Sequence, residues 1–191
     1  LLMLLLGSGA VAQEPSPRAT PLYAPDDLTM ALPTQVAALP LTVESGWVGH
    51  DGRHDPSGWA EYDPLGWLDF LAAHDKEPAD FEVALAEGDS DETDGWVALE
   101  AYHVEGVPAE SLYDIVAGDH WEGSEWMVPL PIPLPEWKDI HGRRVEVWAG
   151  HEFSEALGRE EIWLFIYPHG EVVFFGFVYN MGLEDVLAEL P

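Results

Sequence analysis

The clearest hydrophobic pattern in this chain lies at 162–191, IWLFIYPHGEVVFFGFVYNMGLEDVLAELP. Two apolar runs rich in aromatic and β-branched residues flank Pro168, His169 and Gly170, which predicts strand, tight turn and strand. After Met181 the apolar positions become Leu183, Val186, Leu187 and Leu190, one face of a short helix. Both strands are apolar on both faces, as expected in the middle of a sheet covered on both sides. If the helices cover one face, the other requires the proline connector at 129–135, the long N-terminal segment, or a second subunit. The last case would be a homodimer through 162–179.

The rest of the pattern fits around this unit. Residues 81–86 and 96–104 alternate apolar with polar or small side chains on either side of the acidic stretch EGDSDETDG, predicting a hairpin with one face toward water. Gly106-Val107-Pro108 then opens a helix with Leu112, Ile115 and Val116 on its apolar side. A first strand is predicted at 41–48 and another at 144–149. A helix is predicted from Asp63-Pro64 to about His74, with the acid at N-cap and proline at N1. Strand, turn, strand, Gly and helix at 81–117 repeat the order at 162–190, which suggests two similar β-hairpin–helix halves around one sheet. Between them Pro129, Pro131, Pro133 and Pro135 force an extended backbone, read as a stiff connector.

Composition changes this picture in three respects. The formal net charge is -29, with two lysines and five arginines against 36 acidic residues. Such a field repels phosphate backbones, so no nucleic-acid partner is expected. There is no cysteine, which removes disulfides and thiol chemistry. Residues 1–12, LLMLLLGSGAVA, read as the end of a signal peptide, with Ala10-Val11-Ala12 supplying a cleavage site. Residues 13–32 then read as a proline-rich tether and 33–191 as a single domain, secreted or periplasmic, with no transmembrane anchor in the mature chain.

Candidate chemistry is sparse. His50, Asp51, His54 and Asp55 form the densest set of ligands for a divalent cation, in a Gly-rich loop. Asp89, Asp91, Thr93 and Asp94 resemble the start of a calcium loop but lack its sixth-position glycine. His151-Glu152-Phe153-Ser154-Glu155 misses the second histidine of a zinc-peptidase helix. No nucleophile elbow or phosphate-binding loop is present, and no catalytic residue is assigned. Nine tryptophans include Trp47, Trp59, Trp121, Trp126 and Trp137 in or beside predicted loops, where rings can stack on ligands.

The opening LP before a strand, KEPADF at 76–81, GWVALEAYHVEGV, GRRVEVWAG and the closing IYPHGEVVFF with LEDVLAELP resemble a group of exported bacterial α+β proteins without an assigned activity. The resemblance implies the fold and export, and no catalytic residues. The fold class expected is α+β: a mostly antiparallel sheet of about six or seven strands with two or three short helices. The function expected is non-enzymatic binding of a protein or small ligand. A metal-assisted hydrolase using His50 and His54 is the alternative, and structural self-association a third.

Overall fold

The computed structural model describes residues 27–45, 66–90, 94–124, 135–154 and 158–191, without the side chains of 119–124, 148–154 and 158–161. In chain order the strands are β1 (Gln35–Val36), β2 (Leu39–Pro40), β3 (Thr42–Ser45), β4 (Phe81–Ser90), β5 (Gly95–Val104), β6 (Glu136–Ile140), β7 (Arg143–Ser154), β8 (Gly158–His169) and β9 (Val172–Tyr179). The helices are α1 (Trp67–Ala73), α2 (Ala109–Ser124) and α3 (Leu183–Glu189). Strands β3 to β9 form one seven-stranded sheet in the order β3-β4-β5-β9-β8-β7-β6, and every neighbouring pair is antiparallel. The fold is therefore α+β with a mostly antiparallel sheet.

The double-sided apolar strands sit at the centre of this order, and both their faces are filled. On one side Ile162, Leu164 and Ile166 of β8 and Val173, Phe175 and Phe177 of β9 pack with Trp67 and Leu71 of α1 and Leu112 and Val116 of α2. On the other, Phe165, Tyr167, Val172, Phe174 and Val178 pack with the N-terminal segment and α3. That segment begins with a 3-10 turn (Leu28–Ala31), capped by the Asp27 carboxylate accepting from the Thr29 amide at 3.0 Å. It contributes Leu28, Ala31, Leu32, Val36, Leu39 and Leu41 to the core. Of the three covers considered, the N-terminal segment is found there, joined by α3, and residues 129–134 of the connector lie outside the described residues. Residues 28–32, expected in the tether, already belong to the packed domain.

All four periodic positions of α3 are buried, as their spacing predicts. Its end is fastened by Arg143, whose Nη2 donates to the Leu190 carbonyl at 2.6 Å, and by the Tyr167 hydroxyl, which donates to the Pro191 carbonyl at 3.1 Å. The stretch 162–179 expected to form a homodimer is mostly buried within the chain, with Trp163, the turn at 168–171 and Tyr179 half-buried. Strands β8 and β9 have neighbours on both sides, and the chain's own elements occupy both their faces.

The two halves are visible in the sheet and broken in the helices. Strands β3-β4-β5 and β7-β8-β9 are two meanders joined antiparallel along β5 and β9, with Leu99 opposite Gly176. A two-fold axis normal to the sheet relates such meanders and keeps each face in place. Helices α2 and α3 nevertheless lie on opposite faces. The exits from the strands differ accordingly: Gly106 is left-handed (φ 72), whereas Gly182 has φ -70 and follows a left-handed Asn180 (φ 51).

Three local expectations change. Helix α1 starts at Trp67 behind a left-handed Gly66, while Asp63 and Pro64 lie outside the described residues. A short strand, β6, directly follows Pro135 where only a connector was expected, because 136–147 folds back as a hairpin around left-handed His141 and Gly142. The water-facing side of hairpin β4–β5 is covered at one end, where α1 and α2 lie over Phe81, Tyr102 and Val104, while Val83, Leu85, Glu87, Trp96, Ala98 and Glu100 on the same face are half-buried or exposed.

Candidate functional site

The expected metal ligands His50, Asp51, His54 and Asp55 lie outside the described residues, as do Asp91 and Thr93. Among the described residues no group of three or more His, Cys, Asp or Glu is placed to hold a metal ion. The acidic hairpin tip is strand for longer than expected, with Asp89 opposite Trp96 and Ser90 opposite Gly95, and Asp94 (φ 51) takes the turn. His151 to Ser154 are strand residues of β7, so a helical zinc-peptidase arrangement does not form there.

Two polar clusters penetrate the core, and sequence reasoning found neither. The first is at one end of β5. His103 is buried, its Nδ1 is 3.0 Å from Glu82 Oε2 and its Nε2 is 3.4 Å from Glu171 Oε2. Glu171 also accepts from the Gly106 amide at 2.8 Å, while the Ala109 amide donates to the Gly170 carbonyl at 2.9 Å. Register explains the meeting, because Glu82 and Val172 both pair with His103. A neutral ring carries one N–H and donates to one carboxylate at a time. The cluster ties the β8–β9 turn to the start of α2, which is a structural role.

The second cluster lies at the other side of the sheet. Glu146 of β7 is only 7% exposed and accepts a hydrogen bond from the Tyr113 hydroxyl of α2. Burial pushes the Glu146 carboxyl above the ordinary carboxylate pKa. Trp137, its register partner on β6, is tilted against Tyr113 with ring centroids 5.6 Å apart, and Arg144 stands 5.0 Å from the Trp137 ring centroid. Trp137 is 43% exposed, with Tyr113 and Arg144 standing against its ring.

A concave surface lies elsewhere, beside β3. The 3-10 turn, the residues leading into β1, edge strand β3 and Glu189 of α3 enclose a groove of about 670 Å³. Met30, Leu32, Pro33 and Val43 line its apolar part, and Thr29, Thr34, Gln35, Ser45 and Glu189 its polar part. Met30 is 81% exposed. Among the described residues β3 is the last strand on this side of the sheet, so alternate residues direct their N–H and C=O groups away from β4. The volume falls within the usual range for ligand sites. Among the described residues that line the groove, Glu189 alone carries a formal charge. No sequence motif marks it, since Met30 and Glu189 meet only through the packing of the N-terminal segment and α3 on one face.

Compared with protein-family models, curated proteins and solved structures, the chain matches none.

Proposed function

We propose that this chain is an exported, non-enzymatic binding domain, and that it takes an extended basic peptide segment in the groove beside β3. The observation that carries this reading is the groove itself, where apolar and polar side chains line a concave surface beside a strand that, among the described residues, is the last on its side of the sheet. An extended segment laid along β3 would gain backbone hydrogen bonds, with alternate side chains reaching Met30 and Val43. The net charge of -29 and Glu189 at the rim favour a basic partner. Export is supported by the apolar run and Ala10-Val11-Ala12 at 1–12. No helix among the described residues is long and apolar enough to cross a membrane.

An alternating lysine–valine octapeptide tests the site. With methyl-labelled methionine, Met30 is expected to shift on titration while the half-buried Met181 stays in place, and binding should weaken as salt rises. A titration that moves neither methyl would overturn the reading. The rival, a metal-assisted hydrolase on His50, Asp51, His54 and Asp55, would then gain weight if the purified protein held stoichiometric metal that His50→Ala and His54→Ala both removed.

A further inference from the structure

We infer that the groove beside β3 seats this chain's own residues 13–25, laid along β3 as an added strand that an outside peptide must displace. The inference rests on the groove accepting an extended segment, and it names what regulates that site.

Continuity brings this stretch to the groove. Residues 13–25 lie ahead of the described residues, and the chain enters the described part at the groove itself. Asp27 caps the 3-10 turn, and Thr29 and Met30 of that turn line the groove. The residues between Leu22 and Thr29 reach up to about 25 Å when extended, enough to double back over it. A segment on so short a tether has an effective concentration of about a millimolar. An outside peptide or a second copy has only its own concentration.

The sequence of the stretch suits an edge strand. Residues 13–25 read QEPSPRATPLYAP, with proline at 15, 17, 21 and 25, all odd positions. Successive residues of an extended chain direct their amides to opposite sides. The even side therefore keeps every donor, from Glu14, Ser16, Arg18, Thr20, Leu22 and Ala24, while the odd side loses four. With the even side paired to β3, the prolines face solvent and end the sheet there. Strand β3 has four residues and is last on its side among those described, an edge of the kind that proteins cover. Leu22 and Tyr23 point to opposite faces of an extended chain, so either facing brings one of them to the side of Met30 and Val43. Charge permits the contact. Glu14 and Arg18 cancel, and cleavage after Ala12 would add the α-amino charge of Gln13. The stretch thus meets Glu189 without the repulsion that an acidic segment would encounter.

The chain from Gln13 to Pro191, methyl-labelled at methionine, tests the inference with the same lysine–valine octapeptide. Thr20→Pro with Ala24→Pro removes two even-side amides and leaves Leu22, Tyr23 and every charge in place. It should move the Met30 methyl before any peptide is added. The octapeptide should then bind about tenfold more tightly, the factor for a groove filled about nine-tenths of the time by its own segment. Leu22→Ser with Tyr23→Ser should release the groove as well. Ala19→Pro, which removes an odd-side amide, should behave as wild type. A Met30 methyl and a peptide affinity unchanged by all three variants would overturn the inference. So would release by Ala19→Pro equal to that of the even-side pair, or an unliganded Met30 shift that follows protein concentration and so reports the segment of a second copy. If the inference falls and the octapeptide still shifts Met30, the groove survives as a site for an outside peptide. If the even-side variant moves Met30 and no octapeptide binds, the internal strand stands and the outside peptide falls. If Met30 answers neither variant nor peptide, both fall.

Discussion

Glu146 shows at the scale of one residue how a polar position can be misplaced by pattern alone. In Val145-Glu146-Val147 the alternation assigns the glutamate to water. In the folded chain β7 is covered by α2 on that side, and the carboxyl is buried against Tyr113. Its raised pKa means that the folded state holds the proton more tightly than the unfolded chain. Stability contributed by this group is thus fully present below the unfolded carboxylate pKa and is lost as pH rises through the higher folded value. Glu146→Gln removes the ionisation and keeps an acceptor for Tyr113. The variant should melt roughly 2–4 °C above wild type at pH 7, the shift expected for about 1 kcal/mol in a domain of this size. The difference should vanish toward pH 4, and melting curves across that range would show it. His103 was equally hidden, because its partners Glu82 and Glu171 come from another strand and a distant turn. The sequence shows what such groups are, but only register shows what they meet.

Elements were more legible than their polar contents, where periodicity was strong. The i, i+3, i+4 and i+7 spacing of α3 and the apolar runs of β8 and β9 led directly to a helix and two central strands. Shorter pieces failed, since β1 and β2 have two residues each and β6 follows a proline run that suppresses any strand signal. Gly176 marks a constraint that no pattern displays. Its cross-strand partner is Phe165, and a Cβ added at Gly176 would lie 2.1 Å from the Phe165 ring. The glycine gives the ring its place over the backbone of β9, at the junction of the two meanders. Gly176→Ala should therefore cost about 1–3 kcal/mol through overpacking, measurable by urea unfolding. Adding Phe165→Leu to that variant should recover part of the loss, which a defect confined to β9 backbone conformation would not allow.

For the whole molecule, composition predicted the class and little of the role. A hydrophobic share of 47% supports the two apolar layers on either side of one sheet. The groove was illegible because its walls come from the 3-10 turn, β3 and α3, brought together only when both ends of the described chain settle on the same face. The charge is also a property of the whole. Seven cations cannot neutralise 36 acids, so the folded chain repels itself. Raising NaCl from 10 mM to 0.5 M should lift the melting temperature by several degrees, an effect shared by chloride and perchlorate of the same cation only in its screening part. A melting temperature indifferent to ionic strength would show that the acids are locally compensated.

The order of strands in the sheet carries a consequence for how the protein comes to be folded. β5 finds its inner neighbour in β9, nearly seventy residues further along the chain. Until β9 is available the first meander presents a bare, apolar edge, and the N-terminal segment lacks the opposing strands it must cover. Pairing of such distant segments is slow compared with hairpin closure, because the intervening loop must be ordered before any contact rewards it. The first half therefore has no stable stopping point of its own. Such a chain stays open until its central seam can close, and until then β5 is an unpaired edge exposed to strands of other chains.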